Sequence, residues 1–392
     1  MTKTFHNNLL LRNARLVLPE TVAIGETIFI KNGLIASISA AASREAQSGD
    51  AIDLQGLTVF PGFIDVHIHG AVGVDTMVAS AADLDRVSQF LTTRGVTGWL
   101  PTLVPAPAAD YASAIKAIED AMDLDRGAQI LGVHYEGPFV NSSQCGALRA
   151  QFFRTFSGPA DLNDLPLVRR QSARHMITVA PEIEGGLALV SELTRRGWVV
   201  SIGHTRASFD LLNKAFEAGA RHMTHFMNAM APLHHRAPGP IGWGLARDEV
   251  TCDIIADGIH LDPQMLRLLL KLKSADRLSL ISDAVAAAAL GDGDYEIWGE
   301  KITVKDGRTS NSRGTIAGSV ITMLEAVRLM LSVGASEQEA ARMAATNPAR
   351  LLGIDKECGS IEAAKRADLV ALDSSGKVVL TIIGGAIVFD SR

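Results

Sequence analysis

The chain has 392 residues, 47% of them hydrophobic and 20% charged, with a formal net charge of −6. That length suits one large domain plus a smaller one, and the mild acidity excludes a basic nucleic-acid surface or a polybasic membrane patch. Cys145, Cys252 and Cys358 are odd in number and far apart, so they read as reduced thiols in a cytoplasm, not as a disulfide frame. No apolar run approaches the roughly 18 residues of a membrane span. The leucine run near the start is interrupted by Arg12, unlike the core of a signal peptide.

Residues 1–58 carry strand patterns only. Strands are expected over 9–18, 27–30 and 34–38, the last two joined by Asn32-Gly33, a pair suited to a two-residue hairpin turn. Short strands within 51–59 then lead to Pro61-Gly62. The far end has the same texture, with β-branched or alternating runs at 367–372, 378–382 and 386–389. The two ends, 1–58 and 347–392, are therefore expected to pair into one small β-sandwich domain, held rigidly by short linkers.

Between them, over 59–346, strands and helices alternate. Candidate strands lie at 63–67, 96–101, 130–136, 176–180, 198–202, 221–224, 252–256 and 278–282. Helices fall between them. One covers 82–93, and Ser208 caps another whose apolar face is Phe209, Leu212 and Phe216, closed by Gly219. Asp262 followed by Pro263 opens a third, running to 272. Eight parallel strands with intervening helices predict an α/β fold, the (β/α)8 TIM-type barrel. Residues 291–318 interrupt this rhythm with a β excursion after the eighth strand, on the active-site side.

Ionisable side chains gather at the carboxyl ends of these strands, the end where such barrels build their chemistry. Asp65, His67 and His69 follow the first strand; His134 and Glu136 end the third; His204 follows the fifth and His225 the sixth. Asp257 and His260 follow the seventh, and Asp283 the eighth. Any one of these histidines alone reads as an ordinary turn residue. Together they read as a metal site, since imidazole is the commonest metal ligand and residues two apart on a strand share a face. A site of this kind suits metal-assisted hydrolysis. Asp283 is the candidate proton carrier, because the eighth strand faces the cluster across the barrel mouth.

The segments PGFIDVHIHG, GVHYEGPF, GHT, THFMNAM, RAPGPIG, IADGIH, LISDA, AGS, TNPARLLG and ADLVALD span nearly the whole chain. This series resembles the N-acetylglucosamine-6-phosphate deacetylase family of the amidohydrolase superfamily. The resemblance implies hydrolysis of an N-acetylamino-sugar 6-phosphate to the amino-sugar phosphate and acetate. It implies a divalent ion, zinc or iron, held by Glu136, His204 and His225, and a second ion supported by His67 and His69 with Glu136 bridging. It also implies that Asp283 is general base and then acid, and that Asn228, the Ala229 amide, Arg236 and His260 contact the sugar phosphate. A homodimer is implied too, with Arg236 reaching into the neighbouring subunit's site.

One segment departs from the family pattern. Where members carry a lysine-rich run ending in a histidine that contacts the acyl group or a neighbouring hydroxyl, this chain has NSSQCGALR, with Gln144 at a lysine position and Leu148 at the histidine's. Losing one such donor commonly costs about 100- to 1000-fold in rate. Either the enzyme is slow, or it acts on a different N-acyl amino sugar or amide, or Arg149 or His134 covers the missing role. A deaminase or cyclic amidohydrolase fits less well, because the fourth strand ends MITVAPE, with no lysine to bridge two ions. A dead sugar-phosphate binder would have no need of the ligand set or Asp283. Trp99, Trp198, Trp243 and Trp298 read as packing residues, with Trp243 near enough to Arg236 to touch substrate. His234 and His235 read as solvated or interface residues, and Cys145 has no paired histidine to make it a nucleophile.

Overall fold

The structure, a computed structural model, describes residues 8–39 and 50–392. The part of the leader reading that rests on residues 1–7 lies outside them. Among the described residues, both chain ends feed one eight-stranded, mostly antiparallel sheet. Asn8–Val17 pairs antiparallel with Val22–Lys31 and parallel with Thr58–Pro61. Thr58–Pro61 in turn pairs with Leu369–Leu372, through which the C-terminal strands join. Asn32 and Gly33 have φ of 52° and 80°, the double positive φ that a tight hairpin demands and that Asn-Gly supplies with little strain. Leu9, Leu11, Ile28 and Ile30 from one end share an apolar cluster with Leu369, Leu380 and Ile382 from the other.

The barrel strands are Phe63–Ile68, Val96–Leu103, Gly132–Glu136, Arg174–Val179, Val199–Ile202, His222–Met223, Thr251–Ile255 and Leu278–Ile281, paired in parallel in chain order. The expected third strand is split, with Gln129–Ile130 pairing on the second strand before Gly132. Gly132 has φ +152, and a Cβ there would stand 1.8 Å from the Arg174 carbonyl oxygen on the next strand. Gly132→Ala is therefore expected to destabilise at or beyond the top of the ordinary ~0.5–3 kcal/mol range, read as a fall in the denaturation midpoint. An unchanged midpoint would show that the two strands separate at little cost. The sixth strand is two residues long because His225, just after it, turns to φ +29 and ends the ladder.

The eighth strand returns to the first through a short seam. The Asp283 amide donates to the His67 carbonyl at 2.9 Å, and Ser282 Oγ donates to Asp65 Oδ2 at 2.6 Å. Burial pushes the Asp65 carboxyl up to about 6, against the Ser282 hydrogen bonds. Asp65 thus ties the seam together and does not face the cavity. The helices start as their caps dictate. Ser80 forms a capping box with Asp83 ahead of Ala81–Thr92, Ser208 accepts from Leu211 N, and Asp262 accepts from Gln264 N ahead of Pro263–Lys273. On Phe209–Glu217 the fully buried side chains are Leu212 and Ala215, while Phe209 and Phe216 are half-buried.

The β excursion is a three-stranded antiparallel sheet, Gly293–Ile297, Glu300–Lys305 and Arg308–Ser310. Ile297, Ile302 and Val304 pack with Val285, Ala287 and Ala317 into a small apolar cluster beside the barrel mouth. Among the described residues no helix is long and apolar enough to cross a membrane.

Candidate metal centre

The carboxyl ends of the barrel strands and the turns that follow them bring two donor groups together. His67, His69 and Glu136 form one; Glu136, His204 and His225 form the other. All five side chains are buried. Glu136 Oε1 lies 2.9 Å from His204 Nε2 and 3.0 Å from His225 Nε2, and those two nitrogens are 3.1 Å apart. On the other side, His67 Nε2 and His69 Nε2 are 3.1 Å apart, with His69 Nε2 at 3.3 Å from Glu136 Oε2. Asp283 Oδ1 approaches the same pair, at 3.4 Å from His67 Nε2 and 3.2 Å from His69 Nε2.

The chemistry of the donor set fits a cation. His204 Nδ1 is 2.7 Å from the Gln144 carbonyl oxygen, which can only accept, so Nδ1 carries the proton. In the neutral ring Nε2 is then a bare lone pair, aimed at a carboxylate oxygen and at a second imidazole nitrogen. Electron-rich atoms converging in a buried place repel one another unless a positive charge lies between them. A carbonyl that fixes the tautomer of a ligating histidine is a recurrent device of metal sites.

The electrostatics are consistent with an anionic centre. Burial works against charge at Glu136, yet His67, His204 and His225 hold its carboxyl well below the usual range. Burial also opposes charge at Asp283, and His67 and His69 still bring its carboxyl below its ordinary value. At His69 burial disfavours the cation, but Asp283 and Glu136 outweigh it and raise the imidazole to about 10. His134 is different. Burial pushes its pKa well below the ordinary value, and Thr102 and Thr178 occupy its two ring nitrogens at 3.3 and 2.9 Å. Its ring stands edge-on to His67, centroids 4.6 Å apart, so it braces that ring from inside the barrel.

Backbone strain concentrates here. His204, His225, Met227, Ala229 and Asp283 all have positive φ, between 29° and 76°, without being glycine. Such conformations persist where the surroundings over-determine them, and they cluster at functional sites.

A cavity of about 470 Å³ opens over this cluster. His69, Glu136, His204, His225 and Asp283 line it, as do Asn228, Ala229 and His260. His260 Nδ1 is 2.6 Å from Asp257 Oδ2, which orients the ring. Arg236 is not among the lining residues of this chain. It is exposed on its loop beside His234 and His235, whose rings stack with centroids 4.3 Å apart. Leu148 lines the cavity, while neither residue proposed to cover for it does. Arg149 donates to the Pro105 carbonyl and lies over the Phe152 ring, and His134 is held inside the barrel by its two threonines. Trp243 is fully buried and donates to Asn213 Oδ1 at 2.9 Å, so it is a packing residue out of reach of substrate. Sequence reasoning missed Trp298 and Arg313, both of which line the cavity. The only local signal was the placement of Trp298 at a hairpin turn.

Comparison with known proteins agrees with this geometry. The amidohydrolase family model matches residues 58–388. An N-acetylglucosamine-6-phosphate deacetylase of Bacillus subtilis is 36% identical over 394 residues, covering 98% of each chain. An N-acetylgalactosamine-6-phosphate deacetylase of Escherichia coli O157:H7 is 35% identical over 370 residues, covering 93% of this chain and 95% of that one. A solved structure of the N-acetyl-D-glucosamine-6-phosphate deacetylase of Mycobacterium smegmatis, a variant in complex with N-acetyl-D-glucosamine-6-phosphate, superimposes with a TM-score of 0.88 at 31% identity, covering 97% of this chain and 99% of that one. The chain belongs to the amidohydrolase family, in the branch that holds the N-acetylglucosamine-6-phosphate deacetylases.

Proposed function

We propose that this protein removes the N-acetyl group of an N-acetylamino-sugar 6-phosphate by hydrolysis, with N-acetylglucosamine 6-phosphate as first candidate, giving glucosamine 6-phosphate and acetate. The observation that carries this is one buried carboxylate, Glu136, shared by two sets of imidazoles with Asp283 alongside, in a chain alike over 98% of its length to a deacetylase of that substrate. Glu136, His204 and His225 would hold the principal divalent ion, zinc or iron, and His67 and His69 with Glu136 a second. Such an ion, when bound, polarises a carbonyl and lowers the pKa of water.

The chain's own residues do the rest. Asp283, kept ionised by the imidazoles beside it, takes a proton from the attacking water and returns it to the amine nitrogen as the C–N bond breaks. Asn228, the Ala229 amide and His260 bind the sugar phosphate on one side of the cavity, with Asp257 holding the His260 ring in position. Leu148 supplies no hydrogen bond, so the acyl side of the cavity is recognised by shape. Acetate release from N-acetylglucosamine 6-phosphate, measured beside its galacto epimer and beside an ammonia assay, tests the reading. Ammonia without acetate would replace it with a deaminase.

Arg236 belongs to the same proposal, as a phosphate ligand donated across a homodimer. Its planar fork of donors matches a phosphate, and the RAPGPIG loop carries it exposed at the surface. A charge-assisted bond contributes about 1.5–3 kcal/mol, so Arg236→Ala should raise KM for the phosphorylated sugar by roughly 10- to 150-fold. The unphosphorylated sugar should be little affected. Mixing Arg236→Ala with Asp283→Asn protein should restore one working site per mixed dimer. Equal KM changes for both sugars would remove Arg236 from phosphate recognition, and a mixture with no regained activity would place the arginine in its own subunit's site.

A further inference from the structure

The hairpin between Gly293–Ile297 and Glu300–Lys305 breaks the local rule for its own geometry. Ile297 pairs with Glu300, so the connection is Trp298-Gly299, with φ of 55° and 75°. Positive φ at both positions is what Asn32-Gly33 provides at the N-terminal hairpin. Glycine meets that demand freely. A tryptophan does not, because its Cβ crowds the backbone in the left-handed conformation. A bulky residue held there is an outlier of the kind found at ligand-facing positions.

The indole stands edge-on to His69, with ring centroids 5.0 Å apart, and packs on the cluster built from Val285, Ile297 and Ala317. Its Nε1 is buried beside the Asp75 carboxyl. Trp298 also lines the cavity, together with Leu148, Ala147 and Ile316.

Asn228 and Ala229 follow the sixth barrel strand and His260 the seventh, whereas Leu148 follows the third and Trp298 lies against His69, just beyond the first. The two substituents of an amide leave its carbonyl carbon in opposite directions. With the carbonyl over Glu136 and Asp283, a sugar on the side of Asn228, Ala229 and His260 puts the acyl chain on the side of Leu148 and Trp298.

We infer that Trp298 sets acyl-chain specificity: its indole closes the acyl end of the cavity so that a two-carbon acyl group fits and longer ones are excluded. This rests on the reading of the cavity as an amide-hydrolysing site for an amino-sugar phosphate. The test compares kcat/KM for N-acetyl- and N-butyrylglucosamine 6-phosphate in the metal-loaded wild-type protein, Trp298→Gly and Trp298→Phe. Glycine suits the positive φ and removes the wall; phenylalanine keeps a smaller ring and leaves the series readable if the glycine variant fails to fold. One methylene in a closed apolar pocket discriminates by about 10- to 200-fold. The wild type should therefore prefer acetyl, and the acetyl-to-butyryl ratio should fall at least about tenfold in Trp298→Gly, with Trp298→Phe in between. A merely structural tryptophan would lower both substrates together and leave the ratio fixed. An unchanged ratio, or a wild type that already accepts butyryl as well as acetyl, overturns this inference alone. A wild type that releases neither acid overturns the functional reading and this inference with it.

Discussion

Glu136→Gln should leave the protein unable to retain either ion, whereas His67→Ala should lose only one. Glu136 is the one residue common to both donor groups, with Oε1 facing His204 and His225 and Oε2 facing His69. A glutamine keeps the shape but removes the negative charge and turns one lone-pair oxygen into an N–H donor, which would point at bare imidazole nitrogens. Even the outer partners of metal ligands cost about 10- to 100-fold in affinity when removed, so a shared ligand should cost more than that. Elemental analysis after metal loading decides it. More than one ion is expected per wild-type subunit, about half as much in His67→Ala, and none in Glu136→Gln. Full retention in Glu136→Gln would remove that residue from the ligand set. A wild-type stoichiometry of one, unchanged in His67→Ala, would dispose of the second site.

Asp283→Asn should do the reverse, keeping metal while losing turnover. Its carboxylate lies 3.2–3.4 Å from His67 and His69 but outside both donor groups. Its backbone already serves the barrel seam through the bond to the His67 carbonyl, which an asparagine leaves in place. An amide cannot take and return a proton, and general acid–base catalysis is worth about 10²- to 10⁴-fold. The expected result is a fall in kcat of that order, with KM and metal content close to wild type. More than a few per cent of residual activity would mean that another group carries the proton. Metal loss with the activity loss would instead make Asp283 a ligand.

Local patterns made much of the fold legible. The Asn32-Gly33 turn, the Ser208 and Asp262 caps and the apolar runs of the barrel strands are all decided within a few residues, by φ preference, side-chain capping and continuous burial. The strand-end positions of His67, His69, Glu136, His204, His225 and Asp283 were legible for the same reason, since a strand's last residues must reach the barrel mouth whatever the loops do. Boundaries were less so. The third strand is interrupted at Leu131, where Arg174–Val179 joins Val96–Leu103 as a pairing partner, a change of partners no local pattern encodes.

By itself, then, the sequence determined the eight barrel strands, their order, and which ionisable groups stand at their ends. Only the tertiary structure decided what those groups and the loops between them do. It made Glu136 common to two donor groups, and set the His204 tautomer through the Gln144 carbonyl sixty residues away. It turned Arg149 onto Phe152, enclosed His134 between Thr102 and Thr178, and buried Trp243 against Asn213. It carried Trp298, which looked like one more packing residue, across the barrel mouth to His69. The physical reason is range. Strand pattern and capping act between neighbours in sequence, while the direction a loop side chain takes is fixed by partners far along the chain, whose positions exist only once the barrel has closed.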